Sequence, residues 1–281
     1  MAKHFISFLG TGGPGGYREV SYDGGEKTKF AQIEIIRRHC SEFTLNDKFT
    51  IFLTKGARER SWQGLTAELN GLNLQNLPRF GDKDICDGAT EEELWQIFEN
   101  IYETIAADDE VIFDITHGFR FLPILAIVAL NYARTLTNFT LRKFYYGAID
   151  DYNNNIGSIR DLSMFDDILQ WSYASNDFNK YGVSAEIVKM LTKNKIKSNP
   201  IKNISNVLAT VRGQKIVEGE VFQRCKKSLS DYKLSENHSP QIDRVLGLVE
   251  EKLDATSGSR RVHERHSDLN CGYVKLCGES F

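Results

Sequence analysis

Residues Glu110 to Ile115 read EVIFDI. A strand so nearly apolar at both alternating sets of positions has one stable place, the interior of a sheet covered on both faces. Helices must therefore lie above and below it, and the flanking sequence supplies them. Short apolar runs at Phe5–Leu9 and Phe49–Leu53 are separated by an amphipathic pattern from Thr28 to Phe43, with Phe30, Ile33, Ile36 and Cys40 at three- and four-residue spacing. A helix over Ala57–Leu69, a weak third strand at Leu72–Leu77 and a helix opened by the capping box Thr90-Glu-Glu-Glu93 follow. Beyond Ile115, Phe121–Ala133 reads as an apolar helix, and Leu141–Gly147 and Ile156–Leu162 as two strands around the polar turn Asp150–Asn155. Strands alternating with helices fold as a parallel sheet, so the expected class is α/β with a Rossmann-like parallel sheet. After Met164 the strand signal gives way to helical patterns at Phe165–Tyr173, Val183–Leu191, Ile204–Val211 and Ile242–Leu253. The reading is a domain over residues 1–163 and a smaller, mainly helical domain over 164–281.

With 281 residues and 41% apolar side chains, the chain can fill ordinary cores. No apolar run approaches the roughly 18 residues that span a bilayer, and the N-terminal apolar run meets glycines too early for a signal peptide. A cytoplasmic protein with no membrane partner is expected. The five cysteines are odd in number and form no C-x-x-C pair, which argues against a disulfide framework and against a zinc site. Net charge is -3, yet residues 164–281 carry 18 basic against 15 acidic side chains. Between Glu186 and Glu218 the basic residues, from Lys189 to Lys215, meet no acidic one; that stretch is either a solvated helix face and loop or a contact for a polyanion.

The first strand runs into Gly10-Thr-Gly-Gly-Pro-Gly15, which satisfies G-x-G-x-x-G. A dinucleotide-dependent enzyme is the first reading of that pattern, but the context opposes it. Pro14 interrupts, Tyr17–Tyr22 follows with strand-like alternation, and strand two ends without an acidic residue to take a ribose hydroxyl. Parallel strands nonetheless present their C-terminal ends to one crevice. Three turns should meet there: Gly10–Gly16, Thr54–Ala57 and Asp114–Arg120. They offer close backbone approach, the hydroxyls of Thr11, Thr54 and Thr116, and cations at Lys55, Arg58 and Arg120, a combination suited to phosphodiesters. His117 either bonds neighbouring backbone to hold its turn or touches the ligand. Asp114 reads as structural, accepting N–H groups of the turn that follows it.

Three segments carry a resemblance: Phe8–Gly12 with Tyr17-Arg-Glu and Tyr22, Phe52–Ala57, and above all Asp114-Ile-Thr-His-Gly-Phe-Arg-Phe-Leu-Pro123. Together they resemble the CRISPR-associated Rossmann-fold (CARF) proteins of type III systems, in the subgroup marked D-x-T-H-G. Asn176–Gly182 resembles the start of the helical region that follows the sensor domain there. The resemblance implies a homodimer that binds a cyclic oligoadenylate, an activating ligand rather than a cofactor, across the shared crevice. Ligand contacts carried over by motif are Gly10, Thr11, Gly12, Lys55, Thr116, His117 and Gly118. It also implies a C-terminal HEPN domain, a metal-independent ribonuclease of single-stranded RNA with an R-x-x-x-x-H motif. Arg261-Val-His-Glu-Arg-His266 has that spacing, which assigns catalysis to Arg261 and His266. Val262 stands where a polar residue is usual, Ser257-Gly-Ser259 breaks the helix that should carry the motif, and fifteen residues remain after His266. The expectation is a shortened effector. A ring nuclease using Thr116, His117 and Lys55, and a sensor without catalysis, remain the alternatives.

Overall fold

The computed structural model describes residues 2–72, 80–202, 219–234 and 240–258. They divide into two compact units, one ending at Met164 and the other beginning at Phe165. No helix among them is long and apolar enough to cross a membrane. Cys40, Cys86 and Cys225 are unbridged.

The first unit is built on strands β1 (Lys3–Leu9), β2 (Val20–Tyr22), β3 (Lys27–Thr28), β4 (Lys48–Leu53), β5 (Phe80–Asp84), β6 (Glu110–Asp114), β7 (Thr140–Asp151) and β8 (Ile156–Asp161). They form one sheet in the order β3-β2-β8-β7-β6-β1-β4-β5. The five strands from β7 to β5 run parallel. Growth of the sheet proceeds from β1 through β4 to β5, then resumes on the other side of β1 with β6, so a topological switch lies between β1 and β6. Register puts Ser7 beside Asp114 there.

Alternation along the strands sorts the core onto two faces. Phe5, Leu9, Phe49, Ile51 and Ile112 point to α1 (Ala31–His39) and, through Leu65 and Leu69, to the helix on that side. That helix begins as α2 (Lys55–Ala57) and passes through a π turn over Arg58–Trp62 into α3 (Gln63–Gly71). Ile6, Phe8, Phe52, Val111 and Phe113 point the other way, to α4 (Glu91–Thr104) and α5 (Leu122–Leu136). On α5 the buried side is Leu122, Ala126, Ala129, Leu130 and Ala133, whose small side chains let the helix lie close to the sheet. The capping box works with one change: Thr90 Oγ1 accepts from Glu93 N–H, while Glu93 Oε2 reaches back one residue further, to Ala89 N–H.

Several expected boundaries move. Thr28 belongs to β3, where its hydroxyl accepts from Phe30 N–H, so α1 starts only at Ala31. The strand that pairs with β4 is Phe80–Asp84, and residues 73–77 of the expected third strand lie outside the described residues. As a largely exposed edge strand, β5 carries Gly81, Asp82, Lys83 and Asp84 and has no apolar period to read. The glycine loop does not feed a crossover helix: β2 pairs with β8 at the far side of the sheet, which carries the loop across the ends of β6 and β7.

In the second unit the described helices are α6 (Ser163–Tyr181), α7 (Ala185–Lys193), α8 (Gly219–Lys233) and α9 (Pro240–Gly258). Trp171, Phe178, Ile187, Leu191, Tyr232 and Leu246 are buried together, and Trp171 Nε1–H donates to the Tyr232 hydroxyl at 3.0 Å. Lys189 and Lys193 of the basic stretch pair with Glu186 and Asp167, whereas Lys195 and Lys197 are exposed. The expected helix Ile204–Val211, Arg212 and Lys215 lie outside the described residues, as do Arg261 and His266.

Candidate functional site

The ends of β1, β4 and β6 bring their three turns into contact. A Cβ on Gly56 would lie 3.2 Å from Thr11 Cγ2, and one on Gly10 would lie 3.8 Å from the Gly118 backbone. Between them is a cavity of about 230 Å³. Six of the seven expected contacts line it: Gly10, Thr11, Gly12, Thr116, His117 and Gly118. Lys55 does not. It is exposed on the first turn of α2, and its neighbour Thr54 takes the lining position. Arg58 is held by Asp82 (2.5 Å) and Asp84 (2.7 Å) of β5. Arg120 is exposed beside the cavity's rim residues.

Much of the demand for glycine comes from the protein itself. Gly12 has φ +68, and a Cβ there would stand 2.8 Å from the carbonyl carbon of Gly16. Gly10 N–H donates to the Tyr17 hydroxyl at 3.1 Å, and a Cβ on Gly10 would meet that oxygen at 3.0 Å. Tyr17, absent from the expected contacts, is thus the residue that secures the loop. Burial pushes its phenol up to about 12, so it remains protonated. Its ring lies 4.4 Å from that of His117, centroid to centroid, and 5.4 Å from that of Phe30. The loop's crossing over β6 makes this contact, which no local spacing announces.

His117 bonds backbone, but not the neighbouring backbone of its own turn. Its Nε2 accepts from Ala31 N–H at 3.0 Å, closing an orphan donor at the start of α1. The helix terminus that would meet a pyrophosphate in a dinucleotide site is therefore occupied by an imidazole. With Nε2 accepting, the ring proton sits on Nδ1. Burial lowers the His117 pKa to about 3. The group is neutral in ordinary conditions.

Asp114 is fully buried and accepts from Ser7 Oγ–H at 2.7 Å, from Thr116 N–H at 3.0 Å and from the Thr116 hydroxyl. The Thr116 hydroxyl in turn accepts from Gly147 N–H at 2.7 Å. This is the turn-capping role expected of a short carboxylate at a strand end. Thr54 Oγ1 likewise accepts from Ala57 N–H as the N-cap of α2. The hydroxyls of Thr116 and Thr54 thus build the walls. Among the described residues no group of three or more His, Cys, Asp or Glu side chains is arranged to hold a metal ion.

Burial of ionisable groups has a consequence for stability. His4, at the opposite end of β1, is lowered to about 4 by burial, which outweighs the attraction of Asp109 Oδ2 3.4 Å away. Burial raises Asp114 to about 6. As pH falls below 6.5, the unfolded chain takes up two histidine protons that the folded one refuses, so stability is lost. Between pH 6 and 5 the folded Asp114 takes up a proton that the unfolded chain does not, which offsets one of them. The net of about one proton predicts a loss of roughly 1 kcal/mol over that unit from these three groups. Urea unfolding at the two pH values checks it, and a midpoint that is unchanged or higher at pH 5 contradicts it.

The sequence matches the family described as "CRISPR system endoribonuclease Csx1, CARF domain" over residues 4–151, more than half of the 281. It is also similar to the CRISPR-associated protein MJ1674 of Methanocaldococcus jannaschii, with 29% identity over 168 residues. That match covers 58% of this chain but 25% of the relative, so the chain spans about a quarter of that protein's length. A Rossmann-like sheet with a crevice at its switch point, and a family match that runs from His4 through the D-x-T-H-G turn to Asp151, lead to one conclusion: the chain belongs to the CARF-domain family of CRISPR-associated Csx1 proteins.

Proposed function

We propose that the crevice recognises a cyclic oligoadenylate and that its occupancy controls the helical unit. What carries the reading is the convergence of the three turns on one cavity at the switch between β1 and β6. At about 230 Å³ the cavity is smaller than the roughly 300–1,000 Å³ of pockets that enclose a whole ligand. It suits one segment of a larger molecule. A ring with internal symmetry, shared between two copies, offers each crevice an equivalent segment. Helix α5 begins at the cavity wall with Leu122 and exposes Ile124, Val128, Tyr132 and Leu136 at four-residue spacing, an uncharged stripe that a second copy can meet symmetrically.

Binding is favoured over cleavage of the ring in this reading. The Thr116 hydroxyl already donates to Asp114, and His117 holds its proton on Nδ1 with a strongly lowered pKa, so neither is suited to take a proton from a ribose hydroxyl. The helical unit is the proposed effector, and a metal-independent endonuclease of single-stranded RNA if Arg261 and His266 act as the resemblance implies. Isothermal titration with cyclic tetra-adenylate and cyclic hexa-adenylate tests the sensor reading. Heat with one ring, at one ring per two chains, is the expected result; no heat with either overturns it.

A further inference from the structure

Phe119 follows the D-x-T-H-G segment, lines the cavity, and is 40% exposed. That exposure leaves part of the ring open to a ligand at the cavity rim. Its ring is nearly parallel to that of Phe121, at 9° and 5.7 Å between centroids. Phe121 packs against the core between the sheet and α5. Behind it stands Gly88, with φ +72, where a Cβ would come 2.5 Å from Phe121 Cζ. The Phe119 carbonyl accepts from Leu122 N–H at 3.0 Å, which ties the turn to α5. A flat, apolar surface is therefore presented at the rim of the crevice, with a second ring supporting it.

We infer that Phe119 is a stacking platform for a purine base of the ligand, while the ribose and phosphate of the same unit lie against the glycine loop. This deepens the proposed function and rests on it. Stacking on an aromatic face accepts any base, so the platform contributes affinity and orientation rather than identity; choice of adenine would come from elsewhere in the crevice. The cavity, at about 230 Å³, is smaller than pockets that enclose a whole ligand, and Phe119 is an exposed ring among its lining residues, which offers the open rim as a place for the base.

The experiment compares the intact wild-type chain with Phe119→Leu, Phe119→Ala and Phe119→Trp, titrating each with the ring that the wild type binds and measuring its mass in solution by light scattering. Because Phe119 is 40% exposed and belongs to none of the buried core clusters, the leucine variant is expected to keep the fold, which circular dichroism checks. Expected are a loss of roughly tenfold in affinity for Leu as well as Ala, retention for Trp, and quenching of the added indole emission at saturation. Leucine binding like the wild type overturns the platform, because apolar contact then suffices. Unquenched Trp emission, or weakened binding that tracks a fall in mass, overturns it too. If the wild type binds neither ring, the proposed function fails, and this inference with it; wild-type binding with indifferent variants removes the platform alone.

Discussion

Replacing His117 by alanine is expected to destabilise the first unit by about 3 kcal/mol or more, seen as a lower urea midpoint. Two effects add. The imidazole is 8% exposed and packed against the rings of Tyr17 and Phe30, so truncation removes those contacts and leaves a cavity beside them. It also strands the Ala31 N–H, a buried donor at the start of α1, at a cost of about 1–3 kcal/mol. His117→Phe separates the two, since it keeps a ring and loses the acceptor, and should fall between alanine and wild type. The loss is not electrostatic, because the group is neutral at pH 7. A His117→Ala protein as stable as the wild type would contradict the assignment of this residue to the joint between β6 and α1.

The second large effect is on binding. Gly12→Val is expected to weaken affinity for the proposed ring roughly a hundredfold while moving the melting temperature little. The new side chain must adopt a left-handed backbone that branched residues avoid, with its Cβ 2.8 Å from the Gly16 backbone. The loop tip is exposed, so it can relax locally instead of unfolding the sheet. Gly13→Ala is the matched control: a Cβ there meets nothing within 4 Å, and both affinity and stability should stay near wild type. Equal losses in the two variants would mean that the loop's shape is not what the ligand reads.

Legibility followed the range of the interactions. The Asp114–Thr116 turn, the Thr90 cap and the alternating faces of β1, β4 and β6 rest on residues within a few positions of one another, and each could be read from the chain alone. The placement of Thr54 instead of Lys55 at the cavity was half legible. Thr54 is a natural N-cap, and capping turns the first helical residue, Lys55, outward to solvent. By contrast β5 is polar because it is an edge, and whether a strand is central or edge is a property of the assembled sheet. Tyr17 and Phe119 stand in the segments that carry the resemblance, but their individual roles were not legible, since what sets them is their neighbours across the crevice.

What the amino-acid sequence determined by itself is the parallel α/β order, the position of three turns at one sheet edge, and the D-x-T-H-G segment that carries the family resemblance. Periodicity and turn chemistry are local, and a parallel sheet collects its strand ends on one side whatever the details. Only the tertiary structure decided that β2 crosses to pair with β8, that Tyr17 holds Gly10, and that His117 closes the end of α1 from 86 positions away. Those contacts join residues whose approach is set by how every intervening element packs, and no spacing along the chain encodes that.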